Sequence, residues 1–208
     1  MPIGFYLCKY AMMTDYLQEK IKLRNQTKVA LSQISSQSFK QYSAAVCQHS
    51  ISLINDKKIS VSELNIATYA AHGMEINLAE LHHVSPCIHI HYPLCHQQGM
   101  MSFHRVNSVN DLQKGKHGIL EPKLKKEIPI SEIDIFLCPG LAFGKDGSRL
   151  GRGGGYYDRF LSKIPSRNNT IICGVTLEQQ FMKTVPHEPH DILMNIIITE
   201  KGIHHCQT

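Results

Sequence analysis

The chain has 208 residues, enough for one domain with a substantial core, and 42% of them are hydrophobic, with 22 Lys and Arg against 17 Asp and Glu. No apolar stretch approaches the roughly 20 residues that cross a bilayer, and Met1 to Cys8 meets Lys9 without a basic leader, so neither a membrane partner nor a secretory signal is expected. The net charge of +5 comes from scattered cations, which favours small polyanions over nucleic acid.

Met12 and Met13 stand just before the first helical pattern, so residues 1–13 are expected to form a disordered extension and 14–204 a single domain. From Asp15 to Ile34, apolar Leu17, Ile21, Ala30 and Ile34 alternate with Lys20, Lys22, Arg24 and Lys28, predicting an exposed basic helix with one buried stripe. A second helix starts with Ser38 as N-cap and repeats Phe39, Tyr42, Val46, His49 and Leu53 at three- and four-residue steps. Beyond Lys58, short apolar runs predict strands at Ile66–Ala71, Cys87–Tyr92, Met101–Val106, Ile133–Cys138, Thr170–Val175 and Ile192–Thr199. Helical candidates fall between several of them, at Asn77–Val84, Val109–Lys114, Tyr156–Ile164 and Leu177–Lys183, and Gly115–Pro129 reads as a long surface loop. Such alternation predicts a three-layer α/β architecture, a mainly parallel sheet flanked by helices, with ligands beyond the C-terminal strand ends. Seven cysteines, an odd number without a C-x-x-C pair, fit a reducing, cytoplasmic setting.

Function concentrates in Pro139 to Gly155, which leads into Tyr156-Tyr157-Asp158-Arg159. Glycines and arginines occupy a strand-to-helix crossing here, where unpartnered backbone N–H groups and a helix dipole attract phosphate. Arg149 and Arg152 add charge that can be shared bidentately with phosphate oxygens, and Asp158 sits within reach of a Mg2+ ion. The spacing is not that of a Walker A loop, which needs four residues between the first glycine and Gly-Lys-Ser/Thr, because Gly140 to Gly144-Lys145 leaves three. Without more, a surface loop using glycine only for turns is the alternative.

Pro139-Gly140-Leu141-Ala142-Phe143, followed by Gly147-Ser148-Arg149-Leu150-Gly151-Arg152-Gly153-Gly154-Gly155-Tyr156-Tyr157-Asp158-Arg159, resembles the signature of the 5-formyltetrahydrofolate cyclo-ligase family, also called methenyltetrahydrofolate synthetases. The resemblance extends more loosely from Lys20 to Gly202, through Lys20 with Leu23-Arg24, Gly118-Ile119-Leu120-Glu121-Pro122, and His190-Asp191 with Thr199-Glu200-Lys201-Gly202. It implies a fold akin to sugar-phosphate isomerases and CoA-transferases. It also implies a reaction in which ATP and 5-formyltetrahydrofolate give 5,10-methenyltetrahydrofolate, ADP and phosphate, in a cytoplasmic monomer acting on a reduced folate, polyglutamylated or not.

Residue by residue, the resemblance makes Lys20 and Arg24 a basic pair that meets the nucleotide, and Arg149, Leu150, Gly151, Arg152, Gly153, Gly154, Gly155, Tyr156 and Tyr157 the loop around its phosphates. Arg152 and Lys20 become the catalytic cations, and Asp158 and Asp191 the Mg2+ ligands. Ala70 and Glu75 fall where the family touches folate, beside Arg24, Arg152, Gly153, Gly154, Gly155 and Tyr156. Taken alone, Lys20 and Arg24 at i, i+4 are a solvated helix face, Asp158 a first-turn acid, and Asp191 a turn residue after Pro189. Asn195 stands where many members carry aspartate, and Ser85–Met101 matches weakly, leaving the folate pocket's outer wall undefined. A nucleotide-binding protein without turnover, or an isomerase or CoA-transferase relative, are the competing functions. His82, His83, Cys87, His89, His91, Cys95 and His96 suggest zinc, but lack paired ligand spacing.

Overall fold

Two long helices come first, α1 (Ile3–Ser32) and α2 (Ser36–Lys58), in a computed structural model that describes residues 3–58, 62–115, 118–165, 169–188 and 191–207. α1 runs through most of the segment expected to be disordered, while residues 1 and 2 lie outside the described residues. α2 is capped three residues earlier than expected, since Ser38 N donates to Ser35 Oγ at 3.0 Å.

α1 buries a different stripe from the predicted one, whereas in α2 the predicted Phe39, Val46 and Leu53 do pack on the core and only Tyr42 of that stripe is exposed. Leu17 and Ile21 are 53% and 41% exposed, and α1 instead turns Thr27, Leu31 and the partly buried Lys20, Leu23 and Arg24 inward. The reason is that the inner face of this helix brings Lys20 and Arg24 to the charged side of a cavity, so apolar periodicity does not mark it. In α2 the buried set is Ser43, Val46, Cys47, Ser50 and Ile54; Ser50 donates to Val46 O within the helix, and Ser43 accepts from Asn77 N beyond it.

Twelve strands follow among the described residues: β1 (Leu64–Ala67), β2 (Ile88–Cys95), β3 (Met101–Arg105), β4 (Leu112–Lys114), β5 (Leu120–Pro122), β6 (Ile135–Pro139), β7 (Ala142–Gly144), β8 (Arg149–Leu150), β9 (Ile171–Val175), β10 (Phe181–Met182), β11 (Ile196–Thr199) and β12 (Gly202–His205). The main sheet has seven strands in the order β12-β11-β9-β6-β1-β2-β3. β1, β2, β6, β9 and β11 are parallel, and the antiparallel β3 and β12 form the two edges. Alternation along each strand splits the core in two. Ile135 and Leu137 of β6 join Val46, Cys47 and Ile54 of α2 on one face; Phe136 and Cys138 join Phe160 and Leu161 of α3 (Tyr156–Leu161) on the other. This is the expected three-layer arrangement.

Three elements differ from expectation. The helical pattern at Val109–Lys114 shrinks to a single 3-10 turn and continues as β4, which pairs with β5 inside the stretch read as a loop. Leu177–Lys183 likewise becomes a turn and then β10, which extends β7 in a small sheet with β8. In both cases a segment too short for a stable isolated helix takes strand pairing offered from elsewhere in the chain. Asn77–Val84 carries only a 3-10 helix at Ala79–His83. Among the described residues, no helix is long and apolar enough to cross a membrane.

Candidate functional site

The parallel strands end together, and the segments leaving β1 (Tyr69 and Ala70) and β6 (Pro139 and Gly140) form the floor of a cavity of about 700 Å3. Every residue that the resemblance assigns to nucleotide, folate or Mg2+ lines it: Lys20 and Arg24 from α1, Ala70 and Glu75 after β1, the run from Arg149 to Asp158, and Asp191. Residues 139–155 are not one uninterrupted loop. A hairpin, β7 paired with β8, occupies most of that stretch, and only Gly151–Gly155 bridges β8 to α3. Gly153 at φ 104° and Gly155 at φ 64° adopt backbone conformations that cost other residues steric strain. Among the described residues, no backbone N–H from Gly151 to Gly155 donates to a protein acceptor, leaving a short row of donors at the cavity.

Cations and carboxylates pair around this opening. Lys20 Nζ lies 3.4 Å from Asp191 Oδ2 and 3.9 Å from Glu188 Oε2, and 4.7 Å from the centroid of the Tyr16 ring. Burial and the Asp191 and Glu188 carboxylates push the Tyr16 phenol up to about 12. Arg24 Nε donates to Gly151 O at 3.0 Å. Arg152 donates to Glu75 Oε1 at 2.8 Å and to His72 O at 3.1 Å, while Glu75 Oε2 accepts from His72 N, so the loop arginine reaches across to the acid after β1. Arg149 is different. Its side chain is 4% exposed, its Nη2 is held by Asp158 Oδ1 at 2.6 Å, and it lies over the Tyr157 ring. It charges the floor from below.

Several lining residues were given no part in this site by the sequence reading, which named Cys95 only as a zinc candidate and quoted Ile119 and Arg159 only within matching segments. Pro93, Cys95, Met101 and Ile119 make an apolar wall from β2, β3 and the β4–β5 hairpin, and three of the four lie within the weakly matching Ser85–Met101 segment. Glu188, His72 and Arg159 also border the cavity. Tyr69 carried no polar signal because it continues an apolar strand, yet among the described residues its buried hydroxyl and that of Tyr157 have no hydrogen-bond partner, and burial raises both phenols well above their ordinary value.

Two other sequence questions resolve. Asn195 lies away from the cavity and pins β9, its Oδ1 accepting from Ile172 N at 2.7 Å, so it bears on sheet geometry and not on charge at the site. The suggested zinc ligands do not converge: among the described residues, no group of three or more His, Cys, Asp or Glu could hold a metal ion. His82 stacks on Tyr92, His91 bonds Asn65, and His96 with His104 flanks Ser102 Oγ at 2.6 and 2.8 Å. Pro189 and His190 lie outside the described residues.

A profile of the 5-formyltetrahydrofolate cyclo-ligase family matches residues 16–200. A 5-formyltetrahydrofolate cyclo-ligase of Haemophilus influenzae is 28% identical over 188 residues, covering 87% of this chain and 98% of its own length. The enzyme of that name from Saccharomyces cerevisiae is 33% identical over 142 residues, covering 64% of this chain and 66% of its own. The solved 5,10-methenyltetrahydrofolate synthetase of Aquifex aeolicus superposes with a TM-score of 0.77 at 27% identity, over 91% of this chain and 93% of that one.

Proposed function

Because the chain belongs to the 5-formyltetrahydrofolate cyclo-ligase family, we propose that it uses ATP to convert 5-formyltetrahydrofolate to 5,10-methenyltetrahydrofolate, releasing ADP and phosphate. One observation carries this reading: a single cavity brings together Lys20, Arg24, Arg152, the Gly151–Gly155 donors and Glu75 with an apolar wall. A triphosphate suits the cations and glycine donors, and the apolar wall suits the ring faces of a folate whose polar edge Glu75 can meet.

The chemistry asks for placement more than for a nucleophile. The formyl oxygen attacks the γ-phosphorus and ADP leaves, which turns a poor leaving oxygen into phosphate. N10 then attacks the activated carbon and loses its proton as phosphate departs. Lys20 and Arg152 are the cations that neutralise charge on the transferring group, and Arg24 with the loop from Arg149 to Tyr157 holds the nucleotide. Glu75 accepts hydrogen bonds from the pterin's N–H groups, beside Ala70. Asp158 and Asp191 bring hard carboxylate oxygens to the same cavity, a donor set that suits Mg2+, which commonly takes one or two carboxylates along with substrate phosphates. Those two residues would hold the ion, and its chemistry there is charge neutralisation along the phosphate chain. We read residues 14–204 as one domain, acting as a cytoplasmic monomer on folates with or without a polyglutamate tail.

Mixing the protein with Mg-ATP and 5-formyltetrahydrofolate should produce the absorbance of the methenyl product. Nucleotide binding without that absorbance would overturn the enzyme reading in favour of a non-catalytic binder. Asp158→Asn should raise the Mg2+ concentration needed for half-maximal rate, and an unchanged titration would remove Asp158 from the metal site.

A further inference from the structure

Arg159 belongs to none of the roles above, yet its guanidinium ties two loops together at the cavity. Its Nη2 donates to Gly154 O at 2.5 Å and its Nε to Gly99 O at 3.2 Å, and it lies 5.8 Å from the Tyr156 ring centroid. Gly154 sits in the row of free donors; Gly99 sits in the turn between β2 and β3, the strands that supply Pro93, Cys95 and Met101 to the apolar wall. The fit is close on both sides. A Cβ added at Gly99 would collide with the Arg159 guanidinium, and one added at Gly155 would come within 2.7 Å of Nη1.

We propose that Arg159 is a positioning residue: by holding the Gly154 carbonyl it sets the orientation of the Gly154–Gly155 peptide, and by holding Gly99 it fixes that peptide against the opposite wall. The physical basis is peptide planarity. In a trans peptide the C=O and the following N–H point in opposite directions, so gripping the Gly154 oxygen also fixes where the Gly155 N–H points. Arg24 grips Gly151 O in the same way, which determines the Arg152 N–H at the other end of the loop. A glycine run has the largest conformational freedom to lose, so two charge-assisted anchors on its carbonyls reduce the entropy lost when an anion is bound.

The inference rests on the nucleotide reading of this loop, and the test separates the two. In the ligand-free protein, 15N relaxation should show lower order parameters at Gly154 and Gly155 in Arg159→Gln than in wild type, a readout that needs no ligand. Calorimetry with a non-hydrolysable ATP analogue should show affinity about tenfold weaker, with Arg159→Lys recovering part of it because an ammonium can still donate to one carbonyl. The Michaelis constant for ATP should rise more than that for folate. Gly99→Ala, which displaces the guanidinium and also strains a backbone at φ 72°, should weaken the analogue at least as much, and Arg159→Gln added to it should change little further. Unchanged order parameters, unchanged analogue affinity in Arg159→Gln, or additive effects of the two substitutions would each overturn the positioning role. Wild-type protein that binds no analogue would instead overturn the nucleotide reading, leaving the relaxation result to decide the anchor.

Discussion

The two walls of the cavity are built on different principles. The wall from α1 and the Arg149–Asp158 segment is held by directional, charged contacts: Arg24 on Gly151 O, Arg159 on Gly154 O, Arg149 on Asp158, Lys20 on Asp191. The wall from β2, β3 and the β4–β5 hairpin is a surface of Pro93, Cys95, Met101 and Ile119, defined by shape. A polar wall needs particular donors in particular places, so its residue types are few and recognisable. An apolar wall tolerates many side chains of suitable volume and leaves little trace in a sequence.

The comparison can be broken most severely at the base of the charged wall. Arg149→Ala removes a buried guanidinium and leaves Asp158 partly exposed at the cavity without its partner, and a denaturant titration should show a loss of about 3 kcal/mol. A loss below 1 kcal/mol would mean that Arg149 is not part of the scaffold. Arg152 offers the contrast, because its side chain is 49% exposed and its bond to Glu75 contributes little to folding. Arg152→Ala should therefore leave the unfolding midpoint nearly unchanged while kcat/KM for ATP falls about a hundredfold. Wild-type kinetics would count against the loop as the phosphate site.

A third test lies away from both walls. His91 is buried on β2, and desolvation, with Arg105, His89, His104 and Lys126 adding repulsion, lowers its imidazole from 6.5 to about 4. The unfolded chain takes up that proton first, so this contribution to stability is intact above pH 6.5 and is lost as pH falls towards 4. Between pH 6.5 and pH 5 the loss should be about 2 kcal/mol, and His91→Gln should remove that slope from the unfolding free energy. An unchanged slope would show that His91 charges freely in the fold. The smallest effect is expected on the apolar wall, where Ile119→Ala should raise the Michaelis constant for folate about tenfold and leave that for ATP alone. A rise in the ATP constant instead would mean that the two walls do not divide the ligands between them.

Legibility followed the same division. The glycine–arginine run, Asp158 and the i, i+4 pair of Lys20 and Arg24 stood out because their chemistry restricts residue type, and all of them line one cavity. The strands of the main sheet were readable because burial on both faces requires continuous apolar runs such as Ile135–Cys138. Short segments were not. Leu112–Lys114 and Phe181–Met182 become strands through partners distant in the chain, and no local pattern announces them. The stripe of α1 was misread for a related reason: its inward face meets polar groups, so apolar Leu17 and Ile21 face outward.

By itself the amino-acid sequence determined the layered α/β class and pointed to the glycines and charged residues that line the cavity, since periodicity and charged side chains are local properties. Only the folded chain decided which carboxylate each cation meets, which loop carbonyls the arginines hold, and which apolar residues complete the opposite wall. Those outcomes depend on contacts between residues as far apart as Lys20 and Asp191, whose proximity exists only once the sheet has been assembled.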